Sequence, residues 1–266
     1  MRITIRSRIL SIFVGVALIQ ALLLGAFFLY QHNQSKRKLV SQQLRAVNDN
    51  ISSQIETFYN GLLHELNTAS QQVERMAQKD YQQYNLLKTL QNNNDAFAAL
   101  AFYDINGVVR SAVFSNTADI SPDSFTRNIL LFDTPYSSET PLVTQLTSTD
   151  GSPLIGFSQP VFFLEHSYIV GVISAMVPMD TLQGLIDGPT LPPNQNILVL
   201  NSEGKVLAKR MQHATIQPSF PADTNWDGDV VIDTIRYISV SSSLDFHGEK
   251  IIVASTIDTR KSLLPT

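Results

Sequence analysis

Arg127 is the side chain in this sequence best suited to hold an anion. It lies between Phe125 and Phe132 on a short helical candidate, Ser124–Phe132. A guanidinium grips a carboxylate through two parallel hydrogen bonds. The alternative is a surface arginine on that helix. Ser158 and Ser174 fall on neighbouring strand-like runs, where period-two alternation can turn both hydroxyls to one side of a sheet. The five histidines, His32, His64, His166, His213 and His247, show no metal-ligand spacing. His64-Glu65 also lacks the second histidine of a zinc-protease helix. The run Asn225-Trp226-Asp227-Gly228-Asp229 starts like a calcium loop but lacks the later acidic ligand, so it reads as a turn. There is no Walker loop, GxSxG elbow or dinucleotide fingerprint. No metal, no cofactor and no catalysis are expected within these residues.

Composition narrows the classes further. The chain has 266 residues, 44% hydrophobic and 16% charged, with a net charge of −4 and no cysteine. The charge gives no electrostatic reason to expect a nucleic-acid partner. Disulfides, thiolate catalysis and cysteine-based metal sites are excluded.

The elements that would position these side chains begin at a membrane. Residues 9–30 read ILSIFVGVALIQALLLGAFFLY, 22 residues without a charge. A helix of that length reaches about 33 Å, enough for a hydrocarbon core of about 30 Å. The run is longer than a signal-peptide core and ends in bulky residues, which predicts an uncleaved anchor. Arg2, Arg6 and Arg8 precede it and Lys36, Arg37 and Lys38 follow it, so charge alone nearly ties on orientation.

Residues 34–92 lack proline and carry one glycine, Gly61. Leu44, Val47, Ile51, Ile55, Phe58, Leu62, Leu66, Ala69, Val73 and Met76 recur at steps of three and four, the face of one long helix. That stripe packs on its own domain, pairs with a second copy, or does each along one half. A homodimer would use Leu44, Val47, Ile51, Ile55, Phe58 and Leu62.

Short apolar runs alternate with turns from about residue 95. Asp104-Ile105-Asn106-Gly107 between two strand-like runs predicts a tight hairpin. Strands follow at 142–147, 154–163 and 168–177, then a short helix at 178–186. The prolines near 189–193 read as a linker. The pattern then restarts, with Asn201-Ser202-Glu203-Gly204 about 97 residues after the first turn. The fold class is α+β: an N-terminal transmembrane helix continuing into a long helix, then two related modules with antiparallel sheets. The expected boundaries are 1–8 for a cytoplasmic tail, 9–30 for the span, 31–92 for the long helix, and 93–187 and 188–266 for the modules.

The segments AFYDINGVV at 101–109, LIGFSQPVF at 154–162, YIVGVISAMV at 168–177, ILVLNSEGKVLA at 197–208 and IIVASTIDTRKSLLP at 251–265 resemble, in order and spacing, the double Cache family of extracytoplasmic sensors. The resemblance spans residues 34–266. It implies membrane-distal and membrane-proximal PAS-like modules in the bacterial periplasm, with a small ligand in the distal one. It also implies a second span beyond Thr266 leading to a histidine kinase, a diguanylate cyclase or phosphodiesterase, or a chemoreceptor signalling region. Arg127, Tyr136, Phe157, Ser158, Ser174 and Met176 would then meet at the distal ligand, or else be plain core. Amino-acid-sensing relatives carry an Arg-x-Trp-Tyr cluster and an Asp in the strand that here reads Gly171-Val172-Ile173-Ser174-Ala175-Met176. Arg127 is followed by Asn128, Ile129 and Leu130, and Met176 stands where the Asp would be. The resemblance therefore implies a ligand other than a conventional amino acid. The competing expectation is a membrane-tethered structural or protein-interaction module without a small-molecule ligand.

Overall fold

The computed structural model of the chain describes residues 5–75, 80–115, 120, 123–127, 130–148, 151–163, 168–188, 195–211, 226–232 and 235–259. Helix α1 (Ile5–Arg75) has 71 residues and includes the apolar segment. It contains a window of mean hydropathy 2.2 in which no residue is buried, so it is long and apolar enough to cross a membrane. Beyond that window one face of α1 is buried from Leu44 to Val73.

The stripe is used within the chain. Leu44, Ile51, Ile55 and Leu62 are buried, and Val47 and Phe58 pack partly buried beside the same cores. The six residues named for a dimer face thus pack on the chain's own sheets, the first of the uses expected for the stripe. Asn48 and Tyr59, absent from the expected stripe, are as deeply buried as its members.

The single helix expected over 34–92 is two helices, α1 and α2 (Asp80–Asn93). Asn94 Nδ2 donates to both carboxylate oxygens of Glu65 at 3.0 and 3.1 Å. On one continuous helix those residues would lie about 43 Å apart. The chain therefore reverses, and α2 returns alongside α1.

The first sheet contains β1 (Ala99–Asp104), β2 (Val109–Phe114), β3 (Leu142–Thr147), β4 (Pro153–Phe163) and β5 (Tyr168–Pro178). The second contains β6 (Gln195–Asn201), β7 (Val206–Arg210), β8 (Asp227–Ile232), β9 (Ile235–Phe246) and β10 (Glu249–Asp258). Their orders are β2-β1-β5-β4-β3 and β7-β6-β10-β9-β8, one topology used twice with antiparallel neighbours. Short helices α3 (Asp123–Arg127) and α4 (Leu130–Ser138) belong to the first module, and α5 (Asp180–Asp187) follows it.

The repeat extends to atoms. Asp104 Oδ1 accepts from the amides of Asn106 and Val108 at 2.9 and 3.0 Å. Asn201 Oδ1 accepts from those of Glu203 and Lys205 at 3.1 and 2.7 Å. Gly107 and Gly204 close the two turns at φ 74° and 80°, a region costly for a residue with a Cβ. Asp and Asn serve equally because each offers a short side-chain oxygen to the backbone two residues on.

Asp227 and Asp229 lie on a strand, β8, which corrects the expected turn at Asn225–Asp229; Asn225 itself lies outside the described residues. Their carboxylates meet α1: Arg45 donates to Asp227 at 2.6 Å, Ser41 donates to Asp227 at 2.5 Å, and Arg37 pairs with Asp229. Cationic side chains on the facing helix explain the acidic residues there. The linker prolines fall outside the described residues.

Candidate functional site

The two faces of the first sheet differ in size of side chain. Leu100, Phe102, Ile155, Phe157, Ile173, Ala175 and Val177 face α1 and belong to its core. Ala99, Ala101, Tyr103, Val172 and Met176 face α3 and α4. The register aligns Ala99, Met176 and Gly156 in one row and Ala101, Ser174 and Ser158 in the next. A floor of small residues results, with two hydroxyls at its centre. Ser158 and Ser174 are fully buried, and their Oγ atoms lie 2.8 Å apart.

Helix α4 lies on this floor for a reason readable from its sequence. Pro135 sits inside it and has no N–H, so the carbonyl of Leu131, one turn earlier, loses its helical partner. Ser174 Oγ donates to that carbonyl at 3.2 Å. A buried carbonyl left unmatched would be costly. Gly156 permits the approach: a Cβ there would come within 2.6 Å of Leu131 and 2.7 Å of Leu146.

Aromatic rings fix the outer part of the cover. Tyr103 packs edge-on to Phe125 and tilted on Phe132, with centroids 6.2 and 5.8 Å apart. Its hydroxyl donates to the carbonyl of Phe125 at 3.0 Å. Burial raises the Tyr103 pKa, so this donor keeps its proton at physiological pH. Tyr136 stacks on Phe132 at 5.0 Å and is more than a third exposed at the outer end of α4.

Of the six expected site residues, Ser158, Ser174 and Met176 share the floor, and Tyr136 stands at its rim. Phe157 does not join them. It faces α1 and meets Tyr59 edge-on at 5.2 Å. Consecutive strand residues point to opposite faces, so Phe157 and Ser158 cannot both face one cavity. Arg127 ends α3, and its side chain lies outside the described residues. Tyr103, Gly156, Leu131 and Pro135 were not singled out by sequence. The signals were present: alternation of Ala99, Ala101 and Tyr103 along one strand, and a proline in a helical run.

Polar contacts connect this module to the second one, and the second one to α1. Gln145 of β3 donates to Glu249 and accepts from Asn201 Nδ2 at 3.0 Å, so the first sheet grips the duplicated turn of the second. Burial raises the Glu249 pKa, opposed by its hydrogen bond from Gln145 and reinforced by nearby Glu203. Asn48 of α1 donates to the carbonyls of Val240 and Val253 at 2.9 and 3.2 Å and accepts from Ser255 Oγ.

No family model and no curated protein matches this chain in sequence. Solved structures do match in shape. The ligand-binding domain of the Pseudomonas fluorescens chemoreceptor CtaA, in complex with L-leucine, aligns at a TM-score of 0.65 and 16% identity, covering 87% of this chain and 100% of that one. The domain of the Pseudomonas aeruginosa amino acid chemoreceptor PctB with L-Arg aligns at 0.66 and 13%, covering 85% and 98%. A Campylobacter jejuni chemoreceptor domain with L-norvaline aligns at 0.66 and 12%, covering 87% and 95%. Identities this low carry the fold alone. With the doubled strand order, the long backing helix and these alignments, the chain has the fold of double Cache sensor domains.

Proposed function

We propose that this chain is the ligand-sensing input domain of a membrane-bound signal-transduction receptor, anchored by residues 9–30 with its two modules in the bacterial periplasm. The observation that carries the reading is the buried Ser158–Ser174 pair, set on a floor of alanine and glycine beneath α4. The fold supports it, since the aligned chemoreceptor domains are solved with small ligands. The output is a histidine kinase, a diguanylate cyclase or phosphodiesterase, or a chemoreceptor signalling region.

The floor also shapes the ligand. Met176 offers no charge to an ammonium group, and the floor's polar groups among the described residues are neutral hydroxyls. Arg127 on α3 is the anion anchor. The ligand is therefore a small molecule with a carboxylate or other hydrogen-bonding group and an apolar body, rather than an amino acid held through its ammonium. Leu131 and Phe132 now cover the floor, so binding lifts α4. The ligand drives that change only by its difference in affinity for the two positions. The packing of Leu131 and Phe132 also favours a second reading, a tethered structural or protein-interaction module.

Thermal-shift measurements on the full chain in detergent separate the two. A panel of small carboxylates and the matching amino acids is expected to include acids that raise the melting temperature saturably. The Ser158→Ala/Ser174→Ala variant should weaken them at least tenfold. A flat response to the whole panel, or equal affinity in the variant, supports the structural module instead.

A further inference from the structure

Charge is distributed unevenly along this chain. No acidic residue precedes Asp49, so all 23 aspartates and glutamates lie beyond the apolar span and the first turns after it. Seven cations fall in those first 48 residues, three before the apolar segment and four after it, although the whole chain carries −4. Membrane topology requires a basic excess on one side of a span only. The cations beyond Tyr30 therefore have a different cause.

Packing on the second module accounts for two of them. Arg37 pairs with Asp229, and Arg45 pairs with Asp227 at 2.6 Å. Lys36 and Lys38 make no hydrogen bond or ion pair among the described residues. Successive helical residues turn by about 100°, so these two lysines stand to either side of Arg37. They flank the face of α1 that meets β8, with Lys38 exposed and Lys36 partly so.

Their height above the span gives them a target. Helix α1 runs unbroken through Tyr30, which puts the two Cα atoms about 9 and 12 Å beyond the end of the apolar segment. The headgroup layer adds about 5–7 Å to each side of the hydrocarbon core. Side chains on a helix lean toward its N-terminus, which here is toward the membrane. A lysine stem can lie along the helix while its ammonium stays in the polar layer. Both ammonium groups thus come to the level of the phosphates. Phe27, Phe28 and Tyr30 are exposed just below, where an aromatic belt meets the headgroups.

We infer that Lys36 and Lys38 form a contact surface for anionic phospholipid headgroups, of which phosphatidylglycerol is the simplest. Each ammonium donates to a phosphate oxygen whose charge no choline cancels. The contact fixes the depth at which α1 leaves the bilayer, beside the point where Arg37 and Arg45 clamp the second module to it. It rests on residues 9–30 crossing a membrane, and on neither the floor ligand nor the output.

Native mass spectrometry of the full chain tests it, with the protein released from detergent micelles that hold equal amounts of phosphatidylglycerol and phosphatidylcholine. The parent should retain phosphatidylglycerol at least fivefold over phosphatidylcholine. Lys36→Gln/Lys38→Gln should lower that ratio at least threefold. Lys205→Gln/Lys209→Gln, which removes the same charge from exposed positions of the second module, should leave it unchanged. Inorganic phosphate at the lipid's own concentration should not displace the lipid. Equal retention of the two lipids by the parent, an unchanged ratio in Lys36→Gln/Lys38→Gln, an equal loss in Lys205→Gln/Lys209→Gln, or displacement by phosphate would overturn the inference. Incorporation into nanodiscs of phosphatidylcholine alone reads the anchor separately. A chain that enters them without any preference for phosphatidylglycerol overturns the lipid contact alone, and a chain that fails to enter them overturns the anchor with it.

Discussion

Ser174 and Pro135 are coupled through one carbonyl. Proline removes the donor that would bond Leu131, and serine replaces it from the sheet. Ser174→Ala should cost about 1–3 kcal/mol, the range for leaving a buried polar group unmatched. In a Pro135→Ala background the helix regains its N–H at that position, and the same serine substitution should cost less. A double-mutant cycle in urea reads the difference, expected at about 0.5–1.5 kcal/mol. Additive costs would mean that the two residues act separately. Glu249 gives a pH signature at the same scale. Its folded pKa is raised, so between its ordinary value and the raised one the native state binds more protons than the unfolded state. Stability then falls as pH rises through that window. Glu249→Gln removes this dependence, so its advantage over the parent should grow as pH rises from about 4, the ordinary glutamate value. Parallel stability curves for parent and variant would contradict the assignment.

Helix α1 docks through a few polar and aromatic groups as well as its aliphatic stripe. Tyr59 meets Phe157 of the first sheet at 5.2 Å and Phe246 of the second at 5.4 Å, both edge-on. One ring thus holds both modules to one helix. Asn48 holds the second module alone, nearer the span, and Asn48→Ala should lower stability by about 1–3 kcal/mol in urea unfolding. An unchanged midpoint would show that Asn48 is incidental. At this scale the sequence was legible where a local rule acts alone. The turns at Asp104 and Asn201 could be read because glycine and a short polar side chain fix them without help from elsewhere. Asn48 could not, because a polar residue beside an apolar stripe looks solvent-facing until the sheet that satisfies it is known. The reversal between Arg75 and Asp80 was hidden for a related reason, since residues 76–79 contain neither glycine nor proline. The small-residue floor depends on register across three strands, which no single strand specifies.

Across the whole molecule, the floor beneath α4 and the apolar span lie at opposite ends of a connected body. Gln145 carries the first sheet onto the turn and the last strand of the second. That strand, β10, is bonded through Ser255 to Asn48 of α1, about 27 Å along the helix from Tyr30. A shift of α4 therefore has a continuous path of packed strands and paired side chains to the segments nearest the membrane. The most direct test of the floor as the ligand site is hydrogen exchange on the full chain in nanodiscs, with and without a saturating acid from the thermal-shift panel. Slowed exchange is expected in α4 and in β4 and β5 around Ser158 and Ser174, with a second change in β10. Protection confined to other elements, with α4 and these strands unaffected, would contradict it.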